Sequence, residues 1–182
     1  MAVDLAPWHT TAPTGADAMF IVTVHCEYRV TRTQSVMRFA CVSDQSTYQE
    51  LLRDPTSALV WNFRSTGDLH GGSDGVFELA EFTVDGKPLR IRRTKQAHGQ
   101  TYVVNLSAST EAEETSAPVS APHGVRIAYT YRLLVRQVGH LLYLDIGSLT
   151  KGLTIAFRYG GCGISAVKTL PFIASAEPTR LT

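Results

Sequence analysis

Residues 20–30, FIVTVHCEYRV, constrain the fold more than any other stretch of the chain. Phe20, Val22, Val24, Cys26, Tyr28 and Val30 alternate with Thr23, His25, Glu27 and Arg29. Successive strand side chains point to opposite faces, so a period of two rich in β-branched and aromatic residues predicts a half-buried strand. Strand-like runs recur as VMRFACV, ALVWNFR, VFELAEFTV, PLRIRRT, GQTYVVNL, VRIAYTYRLLVR, HLLYLDI, GLTIAFRY, GISAVKTLPFIAS and PTRL. The Asp85-Gly86 pair between two of them is a hairpin signal. QSTYQELL with Arg53, residues 45–53, departs from the pattern. Ser46 or Thr47 stands where an N-cap belongs, Glu50 lies at capping-box spacing from Thr47, and Pro55 follows, so a short helix is predicted there. About ten strands and one helix predict an all-β protein.

The strands also echo one another. Tyr28-Arg29 matches Tyr131-Arg132 at an offset of 103, which sets Cys26 on Tyr129, Phe39 on Leu142 and Cys41 on Leu144. Leu59, Trp61, Phe63 and Arg64 match Leu153, Ile155, Phe157 and Arg158 at an offset of 94. Phe82, Pro88 and Arg90 match Phe172, Pro178 and Arg180 at an offset of 90. Segments matched in the same order imply an internal duplication. A single copy buries little surface, and two copies can cover each other's apolar faces. The expectation is an internally duplicated β-sandwich whose copies, 19–106 and 125–182, pack as one pseudo-symmetric unit. Residues 1–18 read as a flexible leader, and 107–124, acidic and rich in Ser, Ala and Pro, as a linker or mobile loop.

The shrinking offsets place the extra residues of the first copy at the QSTYQELL helix and the DLHGGSDG loop. Insertions on a shared scaffold vary without disturbing the core, so a special surface is expected there. Tyr48, Asp68, His70 and Asp74 are the candidate partner-binding residues. Arg64 and Arg158, at matched positions, are the alternative: a pair of arginines able to hold an anion or small ligand between the copies.

Composition narrows the classes. A net charge of +1 gives no general attraction to nucleic acid or to a membrane surface. No run approaches the ~18 apolar residues of a spanning helix, and the start lacks the basic-then-apolar pattern of a secretory signal. Three cysteines do not make a disulfide framework and suggest a reducing, cytoplasmic setting. Cys26 and Cys41 are expected on paired strands, both facing inward as packed thiols. RIRRTK, residues 90–95, is the basic cluster. Alternation puts Arg90 and Arg92 on one face and Ile91 and Arg93 on the other, as in an edge strand charged against aggregation.

Catalytic signals are missing. The spacing D-x-H-x-x-x-D of Asp68, His70 and Asp74 matches no metal-ligand pattern, and the six histidines are scattered singly. Cys162, in YGGCGIS, reads as a turn residue rather than a nucleophile. No catalytic residue, metal site or cofactor is assigned. The sequence therefore favours a non-enzymatic module for protein–protein interaction acting through the first copy's insertions. A small-molecule or anion sensor is the alternative, and a self-assembling structural protein, hence a homo-oligomer, is the third reading.

Overall fold

The computed structural model describes residues 1–8, 18–31, 34–107, 124–137 and 154–168. Within them the chain forms ten strands and one helix: β1 Ala2–Pro7, β2 Met19–Val30, β3 Val36–Val42, α1 Gln45–Arg53, β4 Ser57–Asn62, β5 Phe77–Val84, β6 Lys87–Pro88, β7 Ile91–Gln96, β8 Gly99–Asn105, β9 Val125–Arg136 and β10 Ala156–Arg158. The strands make a six-stranded sheet, β10-β1-β2-β9-β5-β6, and a four-stranded sheet, β4-β3-β8-β7. This is the all-β sandwich that the alternation implies. No helix among the described residues is long and apolar enough to cross a membrane.

Alternation sets which residues meet between the sheets. β2 and β9 pair antiparallel along their full length, so Val22, Val24 and Cys26 lie opposite Leu133, Tyr131 and Tyr129 on one face. β5 adds Phe77, Leu79, Phe82 and Val84 to that face. The facing sheet contributes Met37, Phe39 and Cys41 from β3 and Tyr102 and Val104 from β8, all buried in one apolar cluster. Aromatic rings bridge the layers. Phe39 lies edge-on to Phe82 at 6.1 Å and to Tyr129 at 5.0 Å, and Phe77 meets Tyr102 at 5.6 Å. Such edge-on contacts add to simple area burial.

Local chemistry sets the connections. Helix α1 carries the chain back so that β4 can pair parallel with β3. Its N-cap is Asp44 rather than Ser46 or Thr47: Asp44 Oδ1 accepts from Thr47 N at 2.8 Å and from Ser46 Oγ at 2.5 Å. The Ser46 hydroxyl, followed by the Thr47 groups, holds the Asp44 carboxyl down at about 2. A carboxylate accepts at the helix start without the proton a hydroxyl must place elsewhere, so Asp44, two positions before Ser46, captures the cap. The hairpin between β5 and β6 turns through Asp85 and Gly86, with φ of 48° and 80°, the two left-handed residues that a tight hairpin turn requires.

Two further expectations need correction. Residues 2–7 are not a free leader: they form β1, paired with β2 from Ala2↔His25 to Pro7↔Phe20 and with β10 in parallel. Val3 is fully buried there opposite Val24, so alternation in a short apolar segment outweighs its terminal position. Cys26 and Cys41 are not on paired strands, because β2 and β3 belong to different sheets, and both thiols are free. β5 carries a register shift between Leu79 and Glu81, which explains why its inward residues, Phe77, Leu79, Phe82 and Val84, skip a step.

The strands that carry the matched segments YR at 28–29 and 131–132, β2 and β9, are antiparallel neighbours in one sheet, with Tyr28 opposite Ile127 and Tyr131 opposite Val24. The counterparts of β3 and β5, around residues 139–145 and 167–174, fall largely outside the described residues, as do residues 9–17 and the expected linker at 108–123.

Candidate functional site

The DLHGGSDG loop is built into the four-stranded sheet rather than projecting from it. Phe63, after β4, is buried, and its N–H donates to Val42 O at 2.8 Å. The chain then makes a tight turn in which Thr66 and Leu69 exchange backbone hydrogen bonds at 3.0 Å, with Gly67 at φ 53°. Arg136, from the end of β9, closes this turn by donating to Ser65 O at 3.2 Å and to the Thr66 hydroxyl.

Next the loop lies flat on the end of β3. A Cβ at Gly71 would stand 2.8 Å from the Val42 backbone, and one at Gly72 would stand 2.6 Å from Gln96 O. Only glycine allows that approach. Ser43 and Gln100 hold the loop down. Ser43 Oγ donates to Phe63 O at 2.6 Å and accepts from Gly71 N at 2.7 Å. Gln100, almost fully buried on β8, donates through Nε2 to Gly71 O at 2.9 Å and to Ser73 O at 3.2 Å. Its Oε1 accepts from Arg93 Nη2 at 2.7 Å and Nε at 3.1 Å. The Tyr102 hydroxyl lies 3.1 Å from both Gln100 Oε1 and Phe77 O, so its one proton serves this same network. Buried polar groups satisfied in this way fix one arrangement, since breaking any contact leaves a partner unpaired.

The three loop residues picked out by the sequence have different fates. Asp68 is exposed. His70 is half-buried, its Nδ1 accepts from Gly72 N at 3.1 Å, and its ring stands edge-on to His98 at 5.8 Å. Asp74 is exposed but ion-paired: Oδ1 accepts from Lys95 Nζ at 2.6 Å and Arg93 Nη2 at 2.7 Å. Lys95, and then Arg93, hold its carboxyl below the ordinary aspartate range. The Arg93 guanidinium lies 5.6 Å from the centroid of the Tyr102 ring, an inward cation–π contact. Among the described residues no three His, Cys, Asp or Glu groups converge on a metal position.

Tyr48 is half-buried on α1. Its helix and the loop share one anchor, because Ser43 immediately precedes the Asp44 cap and also holds Gly71. The structure therefore brings α1 and the glycine-rich loop to the same end of the four-stranded sheet, beside the β7–β8 turn that carries His98. Ser43 N donates to His98 O at 2.9 Å across that junction.

Arg64 and Arg158 are not brought to a shared space between the sheets. Arg158 pairs with Asp4, and register places that pair on the face turned away from the core, because Val3 and Phe157, one position earlier, point inward. Its Nη1 donates to Asp4 Oδ1 at 3.0 Å and Oδ2 at 3.2 Å. Arg64 lies exposed beyond β4 in the other sheet. Parity explains the outcome: a residue adjacent to an inward phenylalanine faces outward. Cys162 is half-buried with Sγ 3.2 Å from Leu5 O, and burial pushes its thiol up, away from a reactive thiolate.

An open cleft of about 290 Å³ lies beside the Asp74 pair, lined by Asp74, Gly75, Phe77, Glu78, Leu79, Arg93 and Tyr102. Sequence reading missed Ser43, Gln100 and Arg93 as parts of this site. The one available signal was a glutamine at an inward position of an otherwise apolar strand, GQTYVVNL, which calls for polar partners.

Fold and site together define a β-sandwich carrying a glycine-rich loop locked onto one sheet by a buried glutamine. No family model, no curated protein and no solved structure matches this chain.

Because Gly71 has no room for a side chain, Gly71→Ala is expected to push the loop off Val42. The resulting loss is about 1–3 kcal/mol, as for other overpacked sites. Chemical denaturation checks it, and an unchanged midpoint would contradict the close approach.

Proposed function

We propose that the chain is a non-enzymatic module that binds a protein partner through the end of the four-stranded sheet where α1, the glycine-rich loop and the β7–β8 turn meet. The observation that carries the reading is the double role of Ser43, which holds the loop backbone at Gly71 beside the start of α1. A surface already ordered before contact loses less conformational freedom on binding, and this favours recognition. Tyr48, Asp68 and His70 offer one aromatic, one acidic and one amphipathic group on that surface, and Asp74 borders it. The internal duplication supplies the scaffold in this reading, and the first copy's insertions supply the function. Three free cysteines fit a reducing, cytoplasmic setting.

The test is affinity capture of the tagged chain from its own host at low and high salt, with wild type beside a Tyr48→Ala/His70→Ala double variant of equal melting temperature. The reading expects a stoichiometric protein that persists at high salt and falls at least tenfold with the double variant. Capture of the chain alone, or equal capture by both proteins, contradicts it.

A further inference from the structure

We infer that Asp74 is an internal stand-in for a carboxylate of the partner, and that the partner delivers this carboxylate on an extended segment laid in the cleft along β5. The inference rests on the proposed protein-binding reading and names the chemistry of what is bound.

The clamp is built independently of the carboxylate it holds. Gln100 Oε1 accepts two hydrogen bonds from the Arg93 guanidinium, which also lies against the Tyr102 ring. These contacts keep Arg93 in place when Asp74 leaves. Asp74 itself is weakly held in space: its side chain is 74% exposed, and Gly75 follows at φ 78°. The loop's anchors, Gly71 O and Ser73 O on Gln100, lie upstream. Asp74 can therefore swing away without releasing them, and Arg93 and Lys95 can take another carboxylate in the same geometry.

The cleft has the shape of a strand's berth. β5 pairs with β9 from Phe77 to Val84, but with β6 only at Thr83 and Val84. Among the described residues, the Phe77–Glu81 stretch thus has a ladder on one side, and its other side borders the cleft. An added strand gains main-chain hydrogen bonds there, and its alternate side chains turn inward toward Phe77, Leu79 and Tyr102 or toward the clamp. Glu78 stands on the opposite wall, only loosely paired with Arg132 at 3.7 Å, and disfavours a second acidic residue beside the first.

The experiment uses two capped pentapeptides of alternating valine and threonine, one with a central glutamate and one with a central glutamine. Each is titrated by amide-shift mapping into the full chain as wild type, Asp74→Asn and Asp74→Asn/Lys95→Gln. If the internal pair is closed about 90% of the time, the competent fraction is about one tenth. Asp74→Asn then binds the glutamate peptide about tenfold tighter than wild type does. The glutamine peptide shows no such gain, the Lys95→Gln change removes most of it, and the shifts centre on Leu79 and Tyr102. Equal binding of both peptides to Asp74→Asn, or no binding of either to a variant that keeps its melting temperature, overturns the inference. The two ideas fail separately. A captured partner that binds wild type and Asp74→Asn equally well ends the carboxylate inference and leaves the interaction surface standing. Absence of any captured partner ends the proposed function.

Discussion

Phe39→Ala is expected to cost about 3–5 kcal/mol of folding stability, the loss found when a large aromatic is removed from a packed core. Phe39 is fully buried on β3 and reaches across the interlayer space to Phe82 and Tyr129, which belong to the other sheet. No neighbouring strand can collapse into the vacated volume without pulling the layers together, and the ladders β3–β8 and β5–β9 resist that. Denaturant unfolding should show a lower midpoint with an unchanged slope. Arg92→Ala, on the exposed face of β7, should fall within about 0.5 kcal/mol of wild type. A Phe39→Ala loss below about 1 kcal/mol would mean that the sheets do not pack through this residue.

The second large effect is alkaline unfolding. Burial pushes the Tyr28 and Tyr102 hydroxyls up to about 12, and burial pushes those of Tyr129 and Tyr131 further still. In the unfolded chain the same groups ionise near 10. Between those values the native state holds more protons than the unfolded state, so stability is fully present below about pH 10 and falls as pH rises. At about pH 11 each such tyrosine favours unfolding by on the order of 1 kcal/mol, so that together they weigh against the whole stability of a small domain. Following phenolate absorbance and backbone circular dichroism in one titration checks this. The buried tyrosines should ionise only as the sheet signal is lost. A smooth ionisation of every tyrosine near pH 10 with the sheet intact would contradict their burial.

Much of the architecture could be read from residue alternation. The spans of β2, β3, β5, β8 and β9 follow from period-two patterning, which burial on one face imposes directly. Strand β1 was less legible because its six residues sit next to a Pro- and Thr-rich stretch, and only pairing with β2 gives Val3 a buried partner. The parallel pairing of β3 with β4 was not legible either, since it depends on where α1 returns the chain. At the site, the loop's position and Asp68, His70 and Asp74 stood out in the sequence, but what holds the loop did not. Ser43 and Gln100 act through distances of 28 and 29 residues along the chain, and no local pattern encodes such contacts. Arg64 and Arg158 misled for a simple reason: matched positions in two strands share a face, and here that face points away from the core.

The central claim is that α1 and the glycine-rich loop form one fixed surface, and amide hydrogen exchange at Gly71 and Gly72 tests it most directly. Gly71 N donates to Ser43 Oγ and Gly72 N to His70 Nδ1, with both residues buried against β3 and the β7–β8 turn. The account predicts protection of both amides approaching that of the β3–β8 ladder, and loss of the Gly71 protection in Ser43→Ala. Exchange of both amides at the rate of an open loop, with the sheet still protected, would contradict it.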